Sequence, residues 1–398
     1  DLMAIVSSSV NAGQLAVNVY QSEDMSLVHR IEFNRDYSEP KAVVLDDINL
    51  NGYPEVGLFG IVQTELSDGS IENKAQLLVK DPLSGETVKA YNWPANWSNM
   101  SLIMLDDMNG DGIKDFGLQG NFYIGNRPQL VIKDAVSGAT IDTVSYPDLL
   151  DSPRYHMLSD MNSDGVSEIG LFGILKSNNK IQIKVADGAD TAERLASYNF
   201  PDKWSNVSWH ELFDVNFDLS TDFGMFGTNK EDGRVQLFTK SGTDRAGTLG
   251  IFGWPDDLEN AELIKVPDMN ADSVPELAVF GYRSSADRFQ LIVKDSTDRD
   301  VTLVSHGWRN NLTDVSVHVL GDMNFDNVSE VAILGQRSSG AWELNIKDGA
   351  LGETYSVEVL GSDWLDKPKL LLIENSSESK VLVYGNTTSG SEVKLILN

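Results

Sequence analysis

The chain has 398 residues, with 60 Asp and Glu against 31 Lys and Arg and a formal net charge of −29. That acidity argues against a nucleic-acid partner or an anionic membrane surface, since both need clustered cations. At 41% hydrophobic and 9% aromatic residues the chain is also too apolar for an acidic disordered segment, so folded structure must accommodate the excess carboxylates.

Cysteine is absent, which excludes disulfides, thiolate zinc sites and cysteine nucleophiles. No apolar run reaches the roughly 18 residues that a membrane helix needs, so membrane insertion is not expected. The chain begins at Asp1 without an initiator Met and reads as a processed or excised product.

In chain order, the first 34 residues predict three strands, "LMAIVSSS", "QLAVNVY" and "SLVHRIEFN". A segment then follows that recurs six times: "DDINLNGYPEVGLFG" (46–60), "DDMNGDGIKDFGLQG" (106–120), "SDMNSDGVSEIGLFG" (159–173), "FDVNFDLSTDFGMFG" (213–227), "PDMNADSVPELAVFG" (267–281) and "GDMNFDNVSEVAILG" (321–335). Its leading aspartates, Asp47, Asp107, Asp160, Asp214, Asp268 and Asp322, are spaced by 60, 53, 54, 54 and 54 residues. A near-constant period of this size is the signature of propeller blades or long solenoid repeats. Each unit reads as four short apolar runs. One precedes the acidic loop, such as "IML" (103–105), and one leaves it, such as "EVGLFG" (55–60). A third follows, as in "QLLVKD" (76–81), and a fourth, as in "ETVKAYNWP" (86–94). Four strands separated by Gly, Asn, Asp and Ser turns make one antiparallel sheet, and no sustained helical periodicity competes with it.

The chain ends on "LLLIENSSESKVLVYGN" (370–386), a degenerate unit without acidic loop, and "EVKLILN" (392–398). Asp1 stands 13 residues before Gln14, as Glu330 does before Glu343, and so occupies the place of a loop's last carboxylate. The expectation is an all-β, single-domain propeller of four-stranded blades over 1–398 with thirty strands. Its units are about 1–38, 39–97, 98–151, 152–205, 206–259, 260–313, 314–365 and 366–398. Eight blades with incomplete first and last sheets fit that number best, with seven as the alternative.

Each acidic loop places oxygen side chains at positions 1, 3, 5 and 9, with position 7 offering a backbone carbonyl. The first three loops supply Asp47, Asn49, Asn51, Tyr53 and Glu55; Asp107, Asn109, Asp111, Ile113 and Asp115; Asp160, Asn162, Asp164, Val166 and Glu168. The later three supply Asp214, Asn216, Asp218, Ser220 and Asp222; Asp268, Asn270, Asp272, Val274 and Glu276; Asp322, Asn324, Asp326, Val328 and Glu330. Hard oxygen donors at alternate positions, closed by a carboxylate, suit Ca²⁺. An EF-hand needs a bidentate Glu at position 12, where these loops carry Leu58, Leu118, Leu171, Met225, Val279 and Ile333. Position 6 must turn sharply and is Gly52, Gly112 and Gly165, then Leu219, Ser273 and Asn327; Leu visits left-handed geometry poorly, which marks the Asp214 loop as the weakest. A single loop of this kind would read as an Asx-rich turn with no metal, but six copies in one phase do not.

The "D-x-N-x-D-G-x-x-D/E" loop followed by an apolar strand ending in "FG" resembles the FG-GAP/VCBS-type β-propeller repeats of integrin α-subunits and bacterial surface proteins. The likeness is close over 40–340 and loose at both ends. It implies that the loop joins a blade's two innermost strands and binds Ca²⁺, giving up to six structural ions on the six matched loops. The family hosts adhesion, scaffolding and polysaccharide cleavage alike, so the resemblance does not choose among them.

Three histidines, His156, His210 and His318, each precede a loop aspartate by four residues. They are the only catalytic candidates, as a base or metal cluster of a polysaccharide lyase, against a reading as half-buried strand residues bonded locally. Aromatic residues Trp93, Trp97, Trp204, Trp254, Trp308 and Trp364, with Tyr146 and Phe200, follow the fourth strands. They form either a sugar-stacking rim or packing between blades, and packing is the commoner use. Asn96, Asn99, Asn206, Asn311, Asn327, Asn375 and Asn386 open N-x-S/T triplets. The sequence thus points to a secreted or cell-surface bacterial module, calcium-stabilised, that binds a glycan or protein ligand of the cell surface or matrix. A lyase, or an architectural subunit that self-associates, are the alternatives.

Overall fold

A computed structural model of the chain describes residues 2–8, 15–21, 27–33, 37–65, 67–69, 71–94, 97–218, 220–242, 247–374, 379–388 and 390–397. Asp1, Gln14, Asn96, Leu219 and Asn375 therefore lie outside the described residues. The fold is all-β. Among the described residues thirty strands form eight antiparallel sheets, six of four strands and two terminal ones of three, matching an eight-bladed propeller with incomplete first and last blades. Apart from two 3-10 turns, Ile124–Asn126 and Ser284–Ala286, no helix occurs among the described residues.

The chain divides into two compact units, Asp1–Asp202 and Lys203–Asn398, each holding four sheets. Sheets 1 to 4 span 2–33, 37–92, 97–145 and 150–200; sheets 5 to 8 span 204–253, 258–309, 312–361 and 369–397. Within each sheet the strands run in sequence order, so every connection is a hairpin. The first strands begin earlier than the apolar pattern predicts. The strand read as 103–105 runs Trp97–Met104, and its outer half carries exposed Ser98 and Asn99.

Alternation governs the third strands: in Arg127–Lys133 the buried residues are Pro128, Leu130 and Ile132. The second strands are different. Glu276, Leu277, Ala278, Val279, Phe280 and Gly281 are buried without a break, because both faces of that strand meet neighbouring sheets. The core therefore sits between sheets. Phe59, Leu77 and Trp93 of sheet 2 pack on Trp97, Phe116 and Leu118 of sheet 3, and Phe252 and Trp254 of sheet 5 share a cluster with Leu277 and Val279 of sheet 6. Each large side chain so buried contributes on the order of 2 kcal/mol.

Five first strands contain the same bulge. Asn99, Ser152, Asn206, Asn260 and Asp314 have φ of +53°, +48°, +53°, +51° and +50°, and the pairing register slips at each. Asn, Asp and Ser, whose short polar side chains suit it, take the left-handed residue of the bulge. That geometry accounts for Asn99 and Asn206 in their triplets.

Candidate metal centre

Each acidic loop connects the first two strands of its sheet, and its backbone wraps around its own carboxylates. The position-1 side chain accepts the position-6 amide at 2.6–2.8 Å in five loops: Asp47 from Gly52, Asp107 from Gly112, Asp160 from Gly165, Asp268 from Ser273 and Asp322 from Asn327. In the fourth loop Asp214 accepts the Asp218 amide at 3.0 Å. The position-5 oxygen accepts the position-7 amide in all six, at 2.8–3.1 Å.

This winding needs left-handed backbone twice. Position 6 has φ of +94°, +91° and +93° at Gly52, Gly112 and Gly165, and +73° and +69° at Ser273 and Asn327. Position 4 is left-handed as well, at Leu50, Gly110, Ser163, Phe217, Ala271 and Phe325. The sequence gives no hint of this second turn, because mostly non-glycine residues occupy it.

Position 9 behaves differently from the rest of the loop. Glu55, Asp115, Glu168, Asp222, Glu276 and Glu330 are all 0% exposed. Five of them accept the position-2 amide, at 2.6–3.2 Å. Four of the six accept an amide from the turn between the third and fourth strands: Asp115 from Ala135 (3.0 Å), Glu168 from Gly188 (2.9 Å), Asp222 from Gly242 (3.1 Å) and Glu276 from Ser296 (3.0 Å). This carboxylate ties the loop to the opposite hairpin of the same sheet. Among the described residues none of the six has a Lys or Arg within salt-bridge distance. Glu276 and Glu330 each keep one buried oxygen, Oε1, with no hydrogen-bond partner at all.

The electrostatics follow from that burial. Burial pushes the position-9 carboxyls up, to about 6 for Asp115 and Asp222 and about 7 for Glu276 and Glu330, and Glu55 and Glu168 rise in the same direction. Asp107, Asp160 and Asp268 at position 1 are also pushed up by burial, but their several amide hydrogen bonds outweigh it and hold them below the usual range. The second, third and fifth loops thus pair an anion stabilised by amides with a buried acid that lacks a countercharge. Such a donor set fits a hard divalent cation, which would supply the missing charge. Ligand atoms of Asp268, Asp272 and Glu276 already lie within 4.8 Å of one another.

One repeated residue next to these loops escaped the sequence reading. The residue that follows the third strand is Asp81, Asp134, Asp187, Asp295 and Asp348, with Ser241 in the fourth repeat. In all five sheets this aspartate spends Oδ1 on its own turn, and three of the five do more: Asp81, whose Oδ1 takes Leu83 and Ser84, Asp187, whose Oδ1 takes Ala189 and Asp190, and Asp348, whose Oδ1 takes Leu351. In these three Oδ2 then accepts the amide nitrogen of the position-3 asparagine: Asn49 at 3.2 Å, Asn162 at 3.2 Å and Asn324 at 2.9 Å. Fixing Nδ2 in this way fixes which side of the amide presents oxygen. The signal was present as the "KD" that closes most of the third apolar runs, but nothing in the sequence couples it to a loop residue 24–32 positions earlier.

Adjacent loops of the first unit are also joined. The residue before position 1 is Asp46 in the first loop and Asp106 in the second. Asp46 accepts the Lys114 amide of the second loop at 2.9 Å, and Asp106 accepts the Ser167 hydroxyl of the third at 2.6 Å. In the second unit that place is taken by Phe213, Pro267 and Gly321, none of which offers a side-chain acceptor.

The three candidate histidines lie on the first strands of sheets 4, 5 and 7, where His156 faces Gly170, His210 faces Gly224 and His318 faces Ala332 across the ladder. The Nε2 of His210 and of His318 sits 2.8 and 2.9 Å from the hydroxyl of Ser208 and Ser316, two residues back on the same strand. Burial, then Arg154, pushes the His156 imidazole down. The candidate rim aromatics Trp93, Trp97, Tyr146, Phe200, Trp204, Trp254, Trp308 and Trp364 are all buried, which assigns them to packing between and within sheets.

No family model and no curated protein matches the chain. Solved structures do. The Dos1 propeller shares 13% identity at a TM-score of 0.49, covering 98% of this chain and 90% of that one. A eukaryotic initiation factor shares 11% identity at 0.48, covering 89% and 87%. A protein from Lactobacillus plantarum shares 11% at 0.44, covering 90% and 94%.

Proposed function

We propose that the chain is a calcium-stabilised β-propeller of the FG-GAP/VCBS type, serving as a binding or scaffolding module of a secreted or cell-surface protein. One observation carries the reading. Six position-9 carboxylates are fully buried without a cationic partner among the described residues, and two of them retain an oxygen with no partner. Burying unpaired charge costs several kcal/mol per group, which a bound divalent ion offsets and a protein side chain here does not. Asp, Asn and Asp or Asn at positions 1, 3 and 5, with the carboxylate at 9, would hold the ion. The ion supplies positive charge that draws the loop and the opposite hairpin together. No step of catalysis is asked of it.

Sites of extracellular modules bind Ca²⁺ with Kd of about 10⁻⁴–10⁻³ M. Calorimetric titration of chelator-treated protein with CaCl₂, in parallel with a melt, tests the reading. It expects heats corresponding to several sites, up to six, and a rise in Tm. Absence of both heat and Tm shift at about 10 mM Ca²⁺, ten times the weaker limit, would overturn it.

A further inference from the structure

The repeats serve as internal controls for one another, and one groove in the second unit departs from all of them. The residue after the fourth-strand aromatic is Pro94, Pro147, Pro201 and Pro255 in four copies, and Arg309 in the fifth. On the third strand of the following sheet, Gln76, Gln129, Gln182, Gln236 and Gln290 give way to Glu343. Two residues on, Leu78, Val131, Lys184, Phe238 and Ile292 give way to Asn345. These three replacements converge. Arg309, Glu343 and Asn345 line one cavity of about 380 Å³ between the last strand of sheet 6, Thr302–Arg309, and the outer strands of sheet 7, Trp342–Lys347 and Thr354–Gly361.

The groove holds unspent hydrogen-bonding capacity. In the preceding copy the Trp254 indole donates to the Ile292 carbonyl at 3.3 Å. Its counterpart Trp308 is 4% exposed and lines the cavity, and its Nε1 has no partner. The Asn345 Oδ1 is likewise buried and unpartnered. A native structure seldom leaves such groups unsatisfied without a ligand or water to take them. The charge is also unbalanced, and in the sense opposite to the whole protein. Glu343 is neutralised by Arg337, while Arg309 is exposed and has no acidic partner among the described residues. Lys347 adds a second cation, held against the Gly352 carbonyl at 2.7 Å.

We propose that this groove binds a small carboxylated sugar. Arg309 offers a fork suited to a carboxylate, the Asn345 carbonyl accepts from a hydroxyl, and the Trp308 indole donates to one. The volume lies at the small end of ligand pockets, which run about 300–1,000 Å³, as a mono- or disaccharide requires. The site lies outside the six acidic loops, so its test stands whatever those loops hold.

The test is ligand-observed NMR and calorimetry of the full chain with sodium glucuronate, glucose and sodium acetate as probes, run in calcium and in EGTA. Glucuronate is expected to bind in the millimolar range or tighter, at least about fivefold more tightly than glucose or acetate, which each carry half of the recognition. Arg309→Pro restores the residue of the other copies and Asn345→Ile that of the preceding one, so both variants should keep the parent melt. Each is expected to weaken glucuronate at least about fivefold. Three results would overturn the proposal: no glucuronate binding at about 100 mM, a hundred times the millimolar reference; glucose binding as well as glucuronate; or unchanged binding in both variants. Arg309→Gln, which keeps the side-chain length without the charge, provides the second reading if the proline variant melts early.

Discussion

The carbonyl oxygen of Ser98 lies 2.8 Å from where a Cβ on Gly120 would stand. The bulge at Asn99 turns that carbonyl across the second strand, so the glycine ending the repeated "LQG" or "LFG" is the space the bulge needs. Gly281 meets the Glu259 carbonyl at 2.8 Å, and Gly227 the Ser205 carbonyl at 3.0 Å, in the same way. Gly281→Ala is therefore expected to cost roughly 1–3 kcal/mol by overpacking. Asn260→Gly, at the left-handed residue, should stay within about 0.5 kcal/mol of the parent, whereas Asn260→Val should cost about 1 kcal/mol or more. Urea unfolding of the three variants checks the set, and a Gly281→Ala protein as stable as the parent would disprove the coupling.

Chelation is expected to lower Tm, because each site at tenfold excess of Ca²⁺ over Kd adds about 1.4 kcal/mol. Glu276→Gln separates the metal from the fold. In EGTA near pH 7.5 the neutral amide should raise stability by about 1 kcal/mol, since it removes a buried charge without a partner. In Ca²⁺ the same variant should gain less than the parent does. Thermal melts in both buffers decide it, and a loss of stability in EGTA would contradict the account of position 9.

Asp187→Ala removes the acceptor that holds the Asn162 amide. By analogy with other outer-shell partners it should weaken the third loop's Ca²⁺ affinity about tenfold or more while leaving the three loops of the second unit unchanged. Calorimetry would then show one weak class of site beside the remaining tight ones. Asp187→Asn keeps an acceptor oxygen and should recover part of the loss.

Acid sensitivity has a separate source. His306 is 1% exposed, and burial, then Lys347, pushes its imidazole down to about 4, with Asp348 opposing. Because the folded value lies below the ordinary one, the unfolded chain binds the proton first as pH falls. The stability contributed by neutral His306 is complete above about pH 6.5 and is lost on the way down to pH 4. The loss attributable to this group is on the order of 3 kcal/mol. His306→Leu should flatten that part of the profile, and the difference between the two urea-unfolding curves against pH measures it.

The fold was legible because its period is written in the loops: the six Asp-x-Asn segments located every sheet but the terminal two, and apolar runs of four to six residues located most strands. What the sequence hid is of two kinds. The first is conformational. Leu50, Phe217 and Phe325 adopt left-handed geometry at position 4 although nothing in their chemistry asks for it, since the ring of amides around Asp47, Asp214 and Asp322 imposes it. The second is non-local. Asp348 looks like a turn residue, and only folding brings it to Asn324 at 2.9 Å. His306 occupies the place of Tyr198 and Phe252 in other copies, and no local pattern reveals a histidine in a core slot.

The bonds from Asp46 to Lys114 and from Asp106 to Ser167 separate the two units in how they would respond to calcium. Ordering the second loop orders its neighbour's anchor as well, so occupancy of loops one to three should rise together over a narrow range of concentration. Loops four to six, entered from Phe213, Pro267 and Gly321, lack that relay and should fill independently, with a Hill slope near one. A chain of nearly identical repeats would then read calcium twice, once as a threshold and once as a gradient.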